Sequence, residues 1–217
     1  MFDFVLFDLD GTLTDPVLGI TKAYQYALSA YGIHEELDGL AKYIGPPLRE
    51  VFRLSYGFPE SAVEEVVAKF REYFSETGLL ENSVYPGIPE LLQELQSAGR
   101  TLAVATSKAK LYTDRILEHF GLDGYFAFVS GDAMDGSLSR NGKRDIVRMA
   151  LDALDPERGM RAVLVGDRKH DAAGAADNGI ACIGVTWGYG SRDELTGAGC
   201  SMIAGSTGEL RNMLLGG

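Results

Sequence analysis

The stretch VLFDLDGTLTDP, residues 5–16, runs from an apolar segment straight into closely spaced acidic residues. Asp8 and Asp10 are separated by a single leucine, and Asp15 follows within the same stretch. Neighbouring carboxylates repel each other and are costly to remove from water. A buried strand that leads into this pair therefore predicts either a site where a positive group meets the acids or a simple polar turn.

The overall composition limits the class of protein. The chain has 217 residues, 46% of them hydrophobic and 24% charged, which predicts a soluble globular protein with one good-sized core or a core and a smaller companion domain. The net charge of −11 argues against a nucleic-acid partner, because binding a phosphate backbone requires clustered Lys and Arg. A small anionic substrate is still compatible, since a metal or a few basic residues can reverse the field within one cleft.

The signals for cellular compartment favour the cytoplasm. No apolar run reaches the length of about 18 residues that a membrane helix needs, and no signal-peptide pattern follows Met1. Cys182 and Cys200 lack CxxC spacing. They could form a disulfide or supply a thiol nucleophile, but such a small number is more typical of partly buried residues in a reducing compartment. We expect a cytoplasmic monomer or homodimer with no membrane partner.

Two apolar patterns divide the chain. Between residues 17 and about 74, apolar positions recur with a helical period, and glycines stand at plausible helix ends. From residue 82, short apolar segments alternate with amphipathic helical segments up to about residue 188. This alternation predicts parallel βαβ units, and the segment at residues 4–7 has the character of a strand in the same sheet.

We therefore predict an α/β fold with an inserted helical domain. Residues 1–14 and 84–217 would form the α/β core, and residues 15–83 would form the insertion. Open α/β sheets bind ligands beyond the carboxyl ends of their strands. Because the insertion leaves the core just after Asp8 and Asp10, we expect it to act as a lid over that site.

Polar side chains follow the predicted strands or open the helices after them. They are Asp8, Asp10, Thr106, Ser107, Lys143, Asp167 and Asp171. Carboxylates gathered at one sheet edge make a hard oxygen site suited to Mg²⁺, and the lack of His and Cys among them disfavours zinc. Aspartate is also a common turn and helix-cap residue, and for Asp171 a capping role alone is about equally well supported.

Taken together, these segments resemble a known family. DLDGT after the first strand, VATS after the second, the later Lys143 and VGDRKHD after the fourth are similar to the four motifs of the haloacid dehalogenase superfamily. The insertion resembles the helical cap of its first cap class, and the whole is most similar to the phosphoglycolate phosphatase-like branch, which includes nucleotidases. The resemblance implies a Rossmann-like parallel-sheet core with an all-helical cap.

The resemblance also implies roles for the first motif. Asp8 would be the nucleophile that forms an aspartyl-phosphate. Asp10 would protonate the leaving alcohol and then deprotonate the attacking water. Dehalogenases lack this second acid, so Asp10 followed by Gly11 and Thr12 favours phosphoryl transfer, with Gly11 and Thr12 contacting the substrate.

The second and third motifs would bind phosphate. Thr106 would hold a phosphate oxygen, with help from Ser107, although a strand-ending polar residue that caps the next helix is equally typical. Lys143 would neutralise the nucleophile and the phosphate. The chain departs here from the commoner Lys-Pro pair, and the adjacent Arg144 could take this role instead.

The fourth motif would hold Mg²⁺. Asp167 would ligate the ion with a carboxylate oxygen of Asp8 and the main-chain carbonyl of Asp10, and Asp171 would bind the metal or its waters. His170 suggests a general base, but we expect it to be an exposed side chain between two acids.

The helical insertion would select the substrate. Lys42 and Arg49 could meet a second anionic group, or both could lie on a solvated helix face. Tyr24 and Tyr43 could contact a nucleobase, but at helical spacing such residues are more often core.

The residues and the family resemblance together imply a Mg²⁺-dependent phosphatase of a small phosphorylated metabolite: phosphoglycolate, a nucleotide or a sugar phosphate. A phosphomutase that returns the phosphate to a sugar is the close alternative. A non-catalytic binding protein on the same fold is a third, which the presence of every motif residue disfavours.

Overall fold

The chain forms two compact units. A computed structural model describes residues 2–140, 142–200 and 202–216. One unit comprises Met1–Asp15 with Val84–Gly217, and the other is Pro16–Ser83. The chain passes between them through two short strands that pair with each other, β2 (Thr14–Asp15) and β3 (Ser83–Val84).

The first unit is built on a six-stranded sheet in the order β5-β4-β1-β6-β7-β8. All of its neighbouring strands are parallel. The strands are β1 (Phe4–Phe7), β4 (Thr101–Ala109), β5 (Phe128–Asp132), β6 (Ala162–Gly166), β7 (Ala181–Val185) and β8 (Met202–Ala204). The predicted α/β class with a parallel sheet is confirmed.

β1 lies at the centre of this sheet. All four of its residues are fully buried, and Phe7 is in register with Val104 of β4 and Val165 of β6. Since these three strands are parallel, the residues that follow them emerge at the same edge. This arrangement brings the first, second and fourth motifs together.

Helices connect and cover the strands. They are α5 (Ile88–Ser97), α6 (Lys110–His119), α7 (Arg144–Leu154), α8 (Lys169–Asp177), α9 (Arg192–Gly197) and α10 (Thr207–Leu215). The sequence prediction stopped near residue 188 and missed β8 and its flanking helices, because a three-residue strand carries too little apolar pattern to stand out.

The second unit is helical. It contains α1 (Val17–Ser29), α2 (Leu37–Leu40), α3 (Leu48–Glu50) and α4 (Glu60–Tyr73), with a 3₁₀ turn at Ala41–Tyr43 and π-helical turns at Val51–Ser55 and Phe74–Gly78. Tyr24 is almost fully buried, with its ring centroid 5.0 Å from that of Phe70 and 5.4 Å from that of Phe52. Tyr24 is therefore a core residue of this unit.

The cysteines are buried neighbours. Cys182 and Cys200 are both free, and their Sγ atoms lie 3.2 Å apart.

No helix in the described ranges is both long enough and apolar enough to span a bilayer.

Candidate active site

The loop after β1 buries Leu9 and leaves Asp8 and Asp10, on either side of it, partly exposed. The Asp8 N–H continues the sheet by donating to the Val165 carbonyl at 2.9 Å. Leu9 is fully buried, and its carbonyl accepts from the N–H groups of Leu13 and Thr14 at 2.9 and 3.0 Å. This tight turn explains how two acids can follow a core strand: the leucine stays in the core and the acids leave it.

Lys143 joins the acids as a buried cation. It lies at the N-cap of α7, its side chain is 2% exposed, and its Nζ is 2.8 Å from Asp8 Oδ1 and hydrogen-bonded to Asp171 Oδ1. Burial alone would lower the pKa of Lys143, but the carboxylates of Asp171 and Asp8 outweigh it and raise the pKa. Lys143 is therefore charged, whereas the adjacent Arg144 is exposed.

Asp8, Asp167 and Asp171 each offer a carboxylate oxygen within 4.8 Å of the others. Asp167 is fully buried, and its Oδ2 accepts from the Tyr189 N–H at 2.7 Å, while Oδ1 has no hydrogen-bond partner among the described residues. Burial raises the pKa of Asp167 to about 8, with further contributions from Asp171 and Asp8. A buried carboxylate oxygen without a partner, beside two other acids, fits a hard divalent cation.

Asp171 caps its helix, which is one of the two roles that the sequence left open, and it also pairs with Lys143. Its Oδ2 accepts from the Arg168 N–H at 3.0 Å, which caps α8, while its Oδ1 binds Lys143. Burial raises the pKa of Asp171 to about 6, with Asp8 adding to the shift and Lys143 opposing it. The expectation of an exposed His170 was wrong: α8 begins at Lys169, so His170 lies in its first turn, half-buried, and burial lowers its pKa.

Asp10 has a cationic partner that the sequence pattern did not identify. Its Oδ2 accepts from Lys108 Nζ at 2.5 Å, and its Oδ1 is buried with no partner among the described residues. Burial raises the pKa of Asp10, although Lys108 acts in the opposite direction. The local signal was the run KAK after VATS, which is also ordinary for the exposed start of a helix.

Thr106 and Ser107 lie within β4, which continues to Ala109, rather than after the second strand. Thr106 is buried, and its Oγ1 accepts from the Lys108 N–H at 3.3 Å. Thr12 is also fully buried, with an Oγ1 that has no partner in the described part of the chain. Ser107 is half-buried. Thr106 and Ser107 are thus held by a strand, whereas Thr12 lies in the turn after β1.

The segment after β7 supports the first-motif loop. The Trp187 Nε1–H donates to the Thr12 carbonyl at 3.1 Å, and the Tyr189 hydroxyl donates to Asp15 Oδ1 at 2.5 Å. The sequence pattern alone did not assign these aromatic residues to the site. The glycines of the run TWGYG are a local signal that could have indicated a close-packed turn.

The two proposed cap residues belong to the helical unit. Lys42 is exposed, and its Nζ lies 5.0 Å from the centroid of the Tyr43 ring. Arg49 donates from Nε and Nη2 to the two carboxylate oxygens of Glu64, at 2.5 and 3.0 Å. Lys42 therefore lies beside an aromatic ring and Arg49 is paired with a carboxylate, both within the helical unit.

Similarity to known proteins covers nearly the whole chain. Residues 5–185 match the family model described as haloacid dehalogenase-like hydrolase. The chain is 48% identical over 195 residues to a 5'-nucleotidase of Pseudomonas aeruginosa, covering 88% of this chain and 86% of that protein. It is 43% identical to the tyrosine-protein kinase PtkA of Mycobacterium tuberculosis, covering 97% and 72% respectively.

Two further similarities concern phosphatases. A phosphoglycolate phosphatase of Vibrio parahaemolyticus is 30% identical, with 95% of this chain and 93% of that protein covered. The crystal structure of a predicted phosphatase from Clostridium acetobutylicum superimposes with a TM-score of 0.92 at 42% identity, covering 100% of this chain and 99% of that chain.

Proposed function

The chain belongs to the haloacid dehalogenase-like hydrolases and is a phosphatase of that family, and from this premise we propose that it cleaves small phosphomonoesters with Mg²⁺ through an aspartyl-phosphate. The observation that carries the proposal is the group of Asp8, Asp167 and Asp171, whose carboxylates lie close together. Two of them, Asp8 and Asp171, pair with the buried ammonium of Lys143. One lysine leaves these three carboxylates with excess negative charge. A divalent cation would offset this excess and so allow an anionic phosphate ester to approach.

The metal would be held by oxygen ligands. Carboxylate oxygens of Asp8 and Asp167 and the main-chain carbonyl of Asp10 would be direct ligands, and Asp171 would bind the ion or its waters. When bound, Mg²⁺ supplies positive charge that offsets the repulsion between a carboxylate nucleophile and a phosphate dianion.

The protein residues would divide the reaction into two displacements. Asp8 attacks phosphorus, the bond from phosphorus to the ester oxygen breaks, and Asp10 donates its proton to the departing alkoxide. Asp10 then accepts a proton from the water that attacks the same phosphorus, which releases inorganic phosphate and regenerates Asp8. Lys143 stays charged throughout and stabilises both the nucleophile and the transferred group. Thr106, Ser107, Gly11 and Thr12 would contact the phosphate oxygens.

We assign substrate selection to the helical unit. Arg49 and Lys42 would meet a second anionic group, as in phosphoglycolate or a second phosphate. Two of the relatives are named a 5'-nucleotidase and a phosphoglycolate phosphatase, which supports a small phosphorylated metabolite as substrate.

Replacement of the nucleophile tests the proposal. Purified protein should release phosphate from p-nitrophenyl phosphate with Mg²⁺ and not after treatment with EDTA. Asp8→Asn should lower turnover by at least roughly 1,000-fold, whereas the control Asp177→Asn, at the exposed end of α8, should keep it. Substantial turnover by Asp8→Asn would overturn the assignment of the nucleophile.

Product analysis separates the alternatives. A panel of phosphoglycolate, nucleotides and hexose phosphates should give inorganic phosphate. Isomerised sugar phosphate would show a phosphomutase instead. Because one relative is named a tyrosine-protein kinase, transfer of phosphate from ATP to a tyrosine peptide is included as a third readout.

A further inference from the structure

Lys108 is a nearly buried cation that lies just outside the second motif. Its side chain is 8% exposed, and its Nζ lies 2.5 Å from Asp10 Oδ2. Burying an ammonium group is costly unless it is paired, so a lysine in this position requires its carboxylate partner. The pairing is between the end of β4 and the loop after β1, which are far apart in sequence.

The backbone around Lys108 is irregular. The register between β4 and β5 shifts between Thr106 and Ala109, and the Lys108 N–H donates to Thr106 Oγ1 at 3.3 Å. Irregularities of this kind commonly re-aim a side chain next to an active site. The shift lies in the part of β4 that contains Lys108, next to Thr106.

The ion pair makes the two oxygens of Asp10 unequal. Oδ2 is held by Lys108, whereas Oδ1 is buried without a partner among the described residues. A carboxylate turns easily about its last torsion, so an isolated Asp10 would present either oxygen in many orientations. Lys108 removes this freedom by holding one oxygen.

We propose that Lys108 is a positioning residue that fixes Asp10 through Oδ2, so that Oδ1 faces the leaving oxygen and then the attacking water. This inference rests on the proposed function, because it takes Asp10 as the group that transfers the proton. Lys108 itself does not touch the reacting atoms.

Leaving groups of different basicity distinguish this role from phosphate binding. An alkyl phosphate needs a proton on its departing oxygen, whereas 2,4-dinitrophenolate leaves without one. The ratio kcat/KM reports the steps up to release of the leaving group, so it isolates the first proton transfer. A phosphate ligand or a purely structural residue would affect both substrates alike.

The test uses the full chain and two lysines. Lys108→Met should lower kcat/KM for ethyl phosphate by roughly 10- to 100-fold and for 2,4-dinitrophenyl phosphate by less than about threefold. The matched control is Lys110→Met: Lys110 is exposed, and its Nζ pairs with Asp114 at 2.7 Å on the surface of α6. That variant should leave both values unchanged. Equal losses for the two substrates in Lys108→Met would overturn the proposal.

A double-mutant cycle covers the case in which Lys108→Met folds poorly. Circular dichroism gives the folded fraction of each variant, and rates are normalised to it. In an Asp10→Asn background, adding Lys108→Met should cause no further loss of kcat/KM for ethyl phosphate, because the group that Lys108 positions is already gone. An additional loss of tenfold or more would contradict the proposal. Failure of the proposed function would show differently, as turnover that survives Asp8→Asn.

Discussion

Gly11 lies so close to Asp167 that a Cβ atom at residue 11 would stand 2.3 Å from Asp167 Oδ2. The loop after β1 and the end of β6 therefore approach each other without room for a methyl group. Gly11 also has a φ of +84°, which a side chain rarely adopts. Both constraints act at the point where the first and fourth motifs meet.

Gly11→Ala should consequently lower both stability and activity. We expect the free energy of unfolding to fall by at least about 2–3 kcal/mol, from backbone strain and displacement of Asp167. Gly99→Ala is the matched control, since Gly99 has a φ of +74° but no atom within 4 Å of the position that a Cβ would take. It should cost only about 1 kcal/mol and leave turnover intact. Equal denaturation midpoints for the two variants would show that the close approach is unimportant.

Lys143→Met should abolish most of the turnover. Removing the cation between Asp8 and Asp171 leaves the carboxylates to repel the phosphate, and a loss of roughly 100- to 1,000-fold in kcat is expected. Arg144→Met is the neighbouring control and should stay within about twofold of the wild type, because Arg144 is exposed. If Arg144→Met carried the larger loss, the third motif would be assigned to the wrong residue.

The metal-free protein should lose stability as the pH rises. The pKa of Asp167 is raised from 3.8 to about 8 in the folded protein, so between these values the folded state holds a proton that the unfolded state has released. The stability that Asp167 contributes through this proton is fully present below pH 4. It is lost as the pH rises toward 8, where the folded protein also releases the proton. Chemical denaturation in EDTA should show a decrease of about 2–4 kcal/mol between pH 5 and pH 8, measured relative to Asp167→Asn.

Mg²⁺ should reverse that trend in the wild type. Adding the ion at pH 8 should raise the melting temperature of the wild type and of Asp177→Asn, but not that of Asp167→Asn, because the ion binds the ionised carboxylate. An equal rise in the melting temperatures of all three proteins would show that the ion does not bind at Asp167.

Arg49→Met should change selectivity rather than general activity. If Arg49 meets a second anionic group, KM for phosphoglycolate should rise about tenfold while KM for p-nitrophenyl phosphate stays constant. The pair with Glu64 is largely exposed, so its loss should have little effect on folding. Lys69→Met, which breaks the exposed pair with Glu72, is the control within the same unit. A similar rise in the KM values of both substrates would show that Arg49 does not recognise a second anionic group.

The strands and motif residues that could be predicted are those marked by a pattern of neighbouring residues in the sequence. β1 is a continuous apolar run, and the acids after it stand in a recognisable spacing, so the parallel sheet and the family resemblance could be predicted. Lys143 was separable from Arg144 only in the structure, because the helix phase decides which side chain is buried. The start of α8 at Lys169 could not be located from the sequence, because Asp171 accepts the capping hydrogen bond from inside the first turn.

The contacts that complete the site could not be predicted in the same way. Lys108 reaches Asp10 through an irregular register at the end of β4, and Tyr189 reaches Asp167 and Asp15 from the turn after β7. Such contacts join segments distant in sequence, and no periodicity encodes them. They depend on the sheet order, which only the folded chain defines.

Direct detection of the covalent intermediate is the most decisive measurement. The wild-type protein is mixed with a ³²P-labelled phosphomonoester and Mg²⁺, quenched with acid within a single turnover, and digested for peptide mapping. We predict label on the peptide that contains Asp8, at a level that rises and decays with turnover, and none in Asp8→Asn. Label on another residue, or complete turnover with no labelled peptide at any time, would contradict nucleophilic attack by Asp8.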